Sequence, residues 1–122
     1  MAKILIVDDE PQIVQLLETA LTEQGHSVIS SDGGEDGASL AKTELPALII
    51  TDMNMPGGTG WDMIKTLRAD EATKDIPIIV LTAHQTDADR DEAYQSGCDA
   101  YITKPIDLDK FLARVIEFVG QP

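Results

Sequence analysis

Short, continuous apolar runs alternate along this chain with longer segments in which apolar residues recur every three or four positions. The runs 4–7, 48–51 and 76–82 are rich in Ile, Leu and Val. Unbroken apolar character, rather than alternation, is what a strand covered on both faces requires. Two shorter runs, 27–30 and 100–103, are weaker strand candidates. The longer segments predict helices. Ile13, Leu16, Leu17, Ala20 and Leu21 fall at i, i+3, i+4, i+7 and i+8, a full apolar stripe, with Pro11 in the first turn and Gly25 at the end. Leu108, Phe111, Leu112, Val115, Ile116 and Val119 repeat that stripe near the C-terminus, with Asp107 as N-cap and Gly120 as stop. Met63, Ile64 and Leu67 mark a helix after the turn Pro56-Gly57-Gly58. Ala38, Leu40 and Ala41 give a thin stripe over 35–43, and the helix predicted over 87–96 is the least apolar, anchored by Ala88, Ala93 and Tyr94.

The order reads βαβαβαβαβα, which predicts an α/β fold: a parallel sheet with helices on both faces and right-handed crossovers. A chain of 122 residues suffices for one domain, so 1–122 is taken as a single unit. There is no internal repeat, signal-peptide pattern or apolar run long enough to span a bilayer, and a cytoplasmic protein is expected. Cys98 is the only cysteine, so no internal disulfide can form, which suits a reducing compartment. Acids outnumber bases 22 to 9, a net charge of −13. Nucleic acid and anionic membrane are therefore not expected as direct partners, since both are held by clustered Lys and Arg.

In open sheets of this class, ligands sit at the carboxyl ends of the strands, where the strand order reverses. Three predicted strands end there on charged groups. Lys3–Val7 runs into Asp8-Asp9, the run 47–51 into Asp52, and 100–103 into Lys104-Pro105; Thr82 ends a fourth. Asp52 is expected at a strand tip, partly exposed. A carboxylate can take a phosphoryl group, but Asp8, Asp9 and Asp52 repel one another and repel the incoming anion. Mg²⁺ or Mn²⁺ would relieve both, binding one or two carboxylates and a phosphate oxygen. Lys104 supplies a point charge and Thr82 a hydroxyl donor at the same edge, which suits in-line phosphoryl transfer. Each signal has an ordinary explanation alone: N-terminal capping for Asp8-Asp9, turn chemistry for Asp52, a loop for Lys104-Pro105.

Together, Ile6-Val7-Asp8-Asp9-Glu10, Asp52-Met53-Asn54-Met55-Pro56, Leu81-Thr82-Ala83 and Tyr101-Ile102-Thr103-Lys104-Pro105 resemble the receiver domain of two-component response regulators, most of all its single-domain chemotaxis type. The resemblance covers essentially the whole chain. It implies the flavodoxin-like, doubly wound (βα)5 sandwich with strand order 2-1-3-4-5, recognised with the family rather than deduced. It implies a phosphorylation-dependent switch, not an enzyme acting on a separate substrate. Asp52 would be the phosphoacceptor for a phosphoryl group from a sensor histidine kinase or histidine phosphotransfer protein. Asp8 and Asp9, Asp9 more directly, would hold Mg²⁺ with Asp52 and the backbone carbonyl of Asn54. Lys104 would contact the phosphoryl group, Thr82 would swing to it, and Tyr101 would change rotamer into the vacated space. The Lys104-Pro105 bond is expected to be cis, and Asn54 and His84 to tune dephosphorylation. Output would be a protein contact on the helix of 87–96, the last strand and the C-terminal helix, with the protein a monomer or a phosphorylation-induced dimer. The acidic run Asp87-Ala88-Asp89-Arg90-Asp91-Glu92 departs from the chemotaxis type and argues against a flagellar-motor partner.

Two other classes share the features. A haloacid-dehalogenase-type phosphatase needs a second Asp two positions after the first, where this chain has Asn54. A flavodoxin-like FMN carrier needs a Ser/Thr/Gly phosphate loop after the first strand, where this chain has Asp-Asp-Glu-Pro. A receiver cut from a longer regulator, or a phosphorelay intermediate, also fits. His26 is expected on the surface, Trp61 in packing, Met53 and Met55 as core filler, and Cys98 as a small buried residue.

Overall fold

A computed structural model of the chain describes residues 2–53, 60–82, 95 and 97–120. Five parallel strands form one sheet: β1 Lys3–Val7, β2 Ser27–Ser31, β3 Leu48–Asp52, β4 Ile78–Thr82 and β5 Ala100–Thr103, in the order β2-β1-β3-β4-β5. The helices are α1 Pro11–Glu23, α2 Gly34–Glu44, α3 Gly60–Arg68 and a C-terminal helix, Leu108–Val119. The architecture is the α/β sandwich expected from the alternating pattern, with the flavodoxin-like strand order that the family resemblance implied. The helix expected over 87–96, the Pro56-Gly57-Gly58 turn, Asn54, Met55 and His84 lie outside the described residues, as does the side chain of Trp61. No helix among the described residues is long and apolar enough to cross a membrane.

The continuous apolar runs have a direct structural cause: each strand feeds two cores. Leu5, Val7, Ile49, Ile78 and Val80 pack on one face with Ala38 and Ala41 of α2 and Met63, Ile64 and Leu67 of α3. Ile4, Ile6, Leu48, Ile50, Ile79 and Leu81 pack on the other, with Leu17 and Leu21 of α1 and Phe111 and Val115 of the C-terminal helix. Met53 and Cys98 are buried in the first core, in line with their sequence reading. Asp107 caps the C-terminal helix, its Oδ1 accepting from the Asp109 and Lys110 N–H groups at 3.0 and 3.3 Å.

Several local expectations are corrected. Leu16 and Ile116 sit on the solvent side, while Val14 packs against the core. Both helices bury an arc narrower than the stripe, and residues at its margin turn outward. The fourth strand starts at Ile78 rather than 76, because Pro77 has no N–H for the ladder; its carbonyl accepts from Ile49 N–H at 3.0 Å. β2 extends one residue further than expected, to Ser31. His26 is buried, 5% exposed, and its Nδ1 accepts the Ala2 N–H at 3.1 Å. Parallel pairing of β2 with the start of β1 brings Ala2 to the ring, which no local pattern encodes. Burial, and then the positive charge of the chain's N-terminus, lower its pKa.

Candidate functional site

Parallel pairing puts the carboxyl ends of β1, β3, β4 and β5 along one edge. The register Val7↔Thr51 sets Asp8 beside Asp52, and Thr82↔Thr103 sets Thr82 beside the residue that precedes Lys104. Backbone bonds carry the order past the strand ends. Asp8 N–H donates to Ser31 O at 3.0 Å, and Lys104 N–H donates to Thr82 O at 2.8 Å. The Lys104–Pro105 peptide is cis.

The two inner carboxylates share one arrangement. Asp8 Oδ1 accepts the Glu10 N–H at 2.9 Å, and Asp52 Oδ1 accepts the Met53 N–H at 2.8 Å. Each then turns Oδ2 toward Lys104, whose Nζ lies 3.5 Å from both. The same ammonium lies 3.1 Å from Glu10 Oε1. Asp8 is buried, and so is Asp52, which corrects its expected partial exposure: it closes a central strand between β1 and β4. Asp9 and Glu10 face solvent. Ligand oxygens of Asp8, Asp9, Glu10 and Asp52 lie within 4.8 Å of one another.

The electrostatics record a shortage of positive charge. Burial, above all, raises the Asp8 pKa; the charges of Asp52 and Glu10 add to this, and the Glu10 N–H and Lys104 oppose it without prevailing. Burial works against the Lys104 ammonium as well. The hydrogen bond to Glu10 and the charges of Asp8 and Asp52 outweigh it, so its pKa is raised. Among the described residues, one ammonium among four carboxylates leaves the cluster anionic. Hard oxygen donors with an excess of negative charge fit a divalent cation of the Mg²⁺ type.

Of the residues singled out in the sequence, the fold brings Asp8, Asp9, Asp52 and Lys104 together. Thr82 ends the adjoining strand, 1% exposed. Tyr101 lies half-buried on β5 against the core that contains Met53. Glu10 carried no role in the sequence reading, yet its contact to Lys104 is shorter than those of Asp8 and Asp52. Its only signal was its place as third acid in the Asp8-Asp9-Glu10 run.

An α/β sandwich with acids at two central strand ends and a lysine beyond the last strand is the arrangement expected of a receiver domain. The family model "Response regulator receiver domain" matches residues 4–116, and the chain belongs to that family. Protein PilH of Pseudomonas aeruginosa is 36% identical over 115 residues, covering 94% of this chain and 95% of the relative. The DNA-binding dual master transcriptional regulator RpaA of Synechocystis sp. is 40% identical over 115 residues, covering 94% of this chain and 48% of the relative. The chain thus spans about half the length of RpaA and of several other relatives. Among solved structures, the chemotaxis response regulator CheY4 of Vibrio cholerae superposes with a TM-score of 0.92 at 28% identity, over 98% of this chain and 99% of that one. The receiver domain of sensor histidine kinase PA1611 from Pseudomonas aeruginosa PAO1, which has a magnesium ion coordinated in its active-site cleft, gives a TM-score of 0.90 at 27% identity, over 98% of both chains.

Proposed function

We propose that the chain is a single receiver unit over 1–122 that accepts a phosphoryl group on Asp52 in a Mg²⁺-dependent reaction. The family's general function is a phosphorylation-dependent signalling switch. The observation that carries the specific assignment is the convergence of Lys104 Nζ on Asp8 and Asp52, at 3.5 Å from each.

Asp52 is the nucleophile. Its Oδ1 is held by the Met53 N–H, and Oδ2 is the oxygen turned toward Lys104. Oδ2 attacks the phosphorus of a phosphohistidine on a sensor kinase or phosphotransfer protein. A P–O bond forms as the P–N bond breaks, and the leaving imidazole takes up a proton. Asp8, Asp9, Asp52 and the main-chain carbonyl of Asn54 would hold the metal. Bound Mg²⁺ or Mn²⁺ offsets the repulsion among the carboxylates and neutralises charge on the phosphoryl oxygens. Lys104 moves from the carboxylates to a phosphoryl oxygen, and the Thr82 hydroxyl donates to another. The modification adds about two negative charges and three acceptors, which gives both side chains a reason to move. Tyr101 follows Thr82, so that β5, the C-terminal helix and the segment 87–96 present a changed surface to a protein partner. Asn54, two positions after Asp52 in the sequence, and His84, two after Thr82, set the lifetime of the acyl phosphate. The same chemistry serves a receiver within a longer regulator or a phosphorelay intermediate, and the chain spans about half the length of RpaA.

Intact-mass spectrometry after incubation with Mg²⁺ and acetyl phosphate tests the reading. One phosphoryl adduct is expected, absent with EDTA and absent in Asp52→Asn. An adduct that survives in that variant overturns the assignment of Asp52.

A further inference from the structure

Glu10 stands where the first strand hands over to the first helix. Its main chain is fixed: the carbonyl accepts the N–H groups of Ile13 and Val14, both at 3.1 Å, and its own N–H is spent on Asp8 Oδ1. Its side chain is about half exposed and reaches across the mouth of the site to Lys104 at 3.1 Å, against 3.5 Å to Asp8 and Asp52. The ammonium that must meet the phosphoryl group is thus drawn outward, toward solvent, by a carboxylate on a different element. We propose that Glu10 is a positioning residue that restrains Lys104 in the unmodified protein and so slows phosphorylation. This rests on the reading of Asp52 and Lys104 above.

The physical argument concerns the two ends of the reaction. Before transfer, the Glu10–Lys104 pair is intact. As the phosphoryl group arrives, Lys104 Nζ exchanges a carboxylate partner for a phosphoryl oxygen, so the pair is weakened in the transition state and contributes only to the starting state. An interaction present only in the starting state slows the step. A partly exposed pair of this kind is weak, so its release is worth about two- to fivefold in rate. Part of the effect is plain charge repulsion of an anionic donor, which a shorter acid in the same place separates from reach.

The test measures the rate of phosphoryl adduct formation from acetyl phosphate at saturating Mg²⁺ and low ionic strength, across donor concentrations. Three variants are compared with the wild type. Glu10→Gln removes the charge. Glu10→Asp keeps the charge but withdraws it by one methylene. Glu18→Gln removes an exposed acid lining the neighbouring cleft, with no contact to Lys104. Glu10→Gln and Glu10→Asp are both expected to accelerate the reaction about two- to fivefold, with Glu18→Gln at the wild-type rate. The Mg²⁺ concentration for half-maximal rate is expected to stay at the wild-type value in all three. Several results overturn the proposal: slowing or no change in Glu10→Gln, a raised Mg²⁺ concentration for half-maximal rate that makes Glu10 a metal ligand, Glu10→Asp at the wild-type rate, or an equal gain in Glu18→Gln. Adding Asp52→Asn to Glu10→Gln keeps the failures apart. An adduct in that double variant means that the phosphoacceptor, not Glu10, has been misassigned.

Discussion

Asp8 is where the demands of fold and chemistry oppose each other most directly. It is 2% exposed, beside the carboxylates of Asp52 and Glu10, with one lysine shared among them. Burial first, then those neighbouring charges, raise its pKa. A raised carboxyl pKa means that the folded state keeps its proton to higher pH than the unfolded chain does. Its contribution to stability is therefore full below about pH 4, the unfolded value, and is lost as pH rises through the folded value. In EDTA at pH 7, Asp8→Asn should stabilise the protein by about 0.5–2 kcal/mol, read as an upward shift of the urea midpoint. The Asn oxygen still accepts the Glu10 N–H, so the local turn survives. Added Mg²⁺ should stabilise the wild type by mass action and the variant far less. A variant less stable than wild type in EDTA would show that Lys104 more than compensates the buried charge. At this scale the sequence was partly legible. Asp8, Asp52 and Lys104 could be found because each ends a strand. The burial of His26 and the grip of Glu10 on Lys104 could not, because both depend on residues from distant parts of the chain meeting at an edge.

Among the elements, α2 sits tightly on β1, against the residue that precedes Asp8. α2 approaches so closely at Gly37 that an added Cβ would lie 2.9 Å from Val7 Cγ2 and 3.1 Å from Met63 Sδ. Val7 is β-branched, buried and immediately precedes Asp8, so it has no room to yield. Gly37→Ala should therefore destabilise by about 1–3 kcal/mol, the overpacking cost exceeding the roughly 0.5–1 kcal/mol that Ala gains over Gly in a helix. Urea denaturation checks it, and a neutral or stabilising result would mean that α2 can slide outward. This contact explains why α2 read as a weak helix. Its apolar stripe is thin because Gly34 and Gly37 are part of its buried face, and glycine registers in a sequence as a helix breaker rather than as a packing surface. The end of α2 was equally hidden: Leu45, exposed and just before Pro46, takes the left-handed φ of 45° that usually calls for Gly or Asn. The strands were easier. Burial on both faces leaves a continuous apolar run that no surface element imitates, and the strand ends then located the site.

Across the whole molecule the sheet separates two kinds of edge. The carboxyl edge carries like charges held close together, which suits a site that must bind a cation and an anion. The amino edge is cross-linked. Arg68, at the end of α3, donates through Nη1 to Lys74 O at 2.8 Å and Ile76 O at 2.7 Å. Through Nε and Nη2 it donates to Gly97 O at 2.9 and 2.8 Å, and Nη2 also reaches Asp99 Oδ2 at 2.8 Å. The same Asp99 oxygen accepts the Ile78 N–H at 2.8 Å. One guanidinium thus ties α3 to the segments that lead into β4 and β5, the strands that carry Thr82 and Lys104 at their far ends. A planar, permanently charged fork can serve several carbonyls at once, which a lysine cannot. If the two edges are functionally separate, Arg68→Ala should cost about 2–3 kcal/mol of stability, the scale of lost charge-assisted hydrogen bonds that water only partly replaces. It should leave the rate of phosphoryl adduct formation on the folded protein at the wild-type value, because Arg68 has no hydrogen bond or ion pair to a described residue of the carboxyl edge. Urea denaturation and adduct formation, measured on the same preparation at a temperature where the variant is folded, give both numbers. A rate that falls together with stability would show that the approach of β4 and β5 to the site is set from the amino edge, and that Thr82 and Lys104 are positioned through the length of their strands.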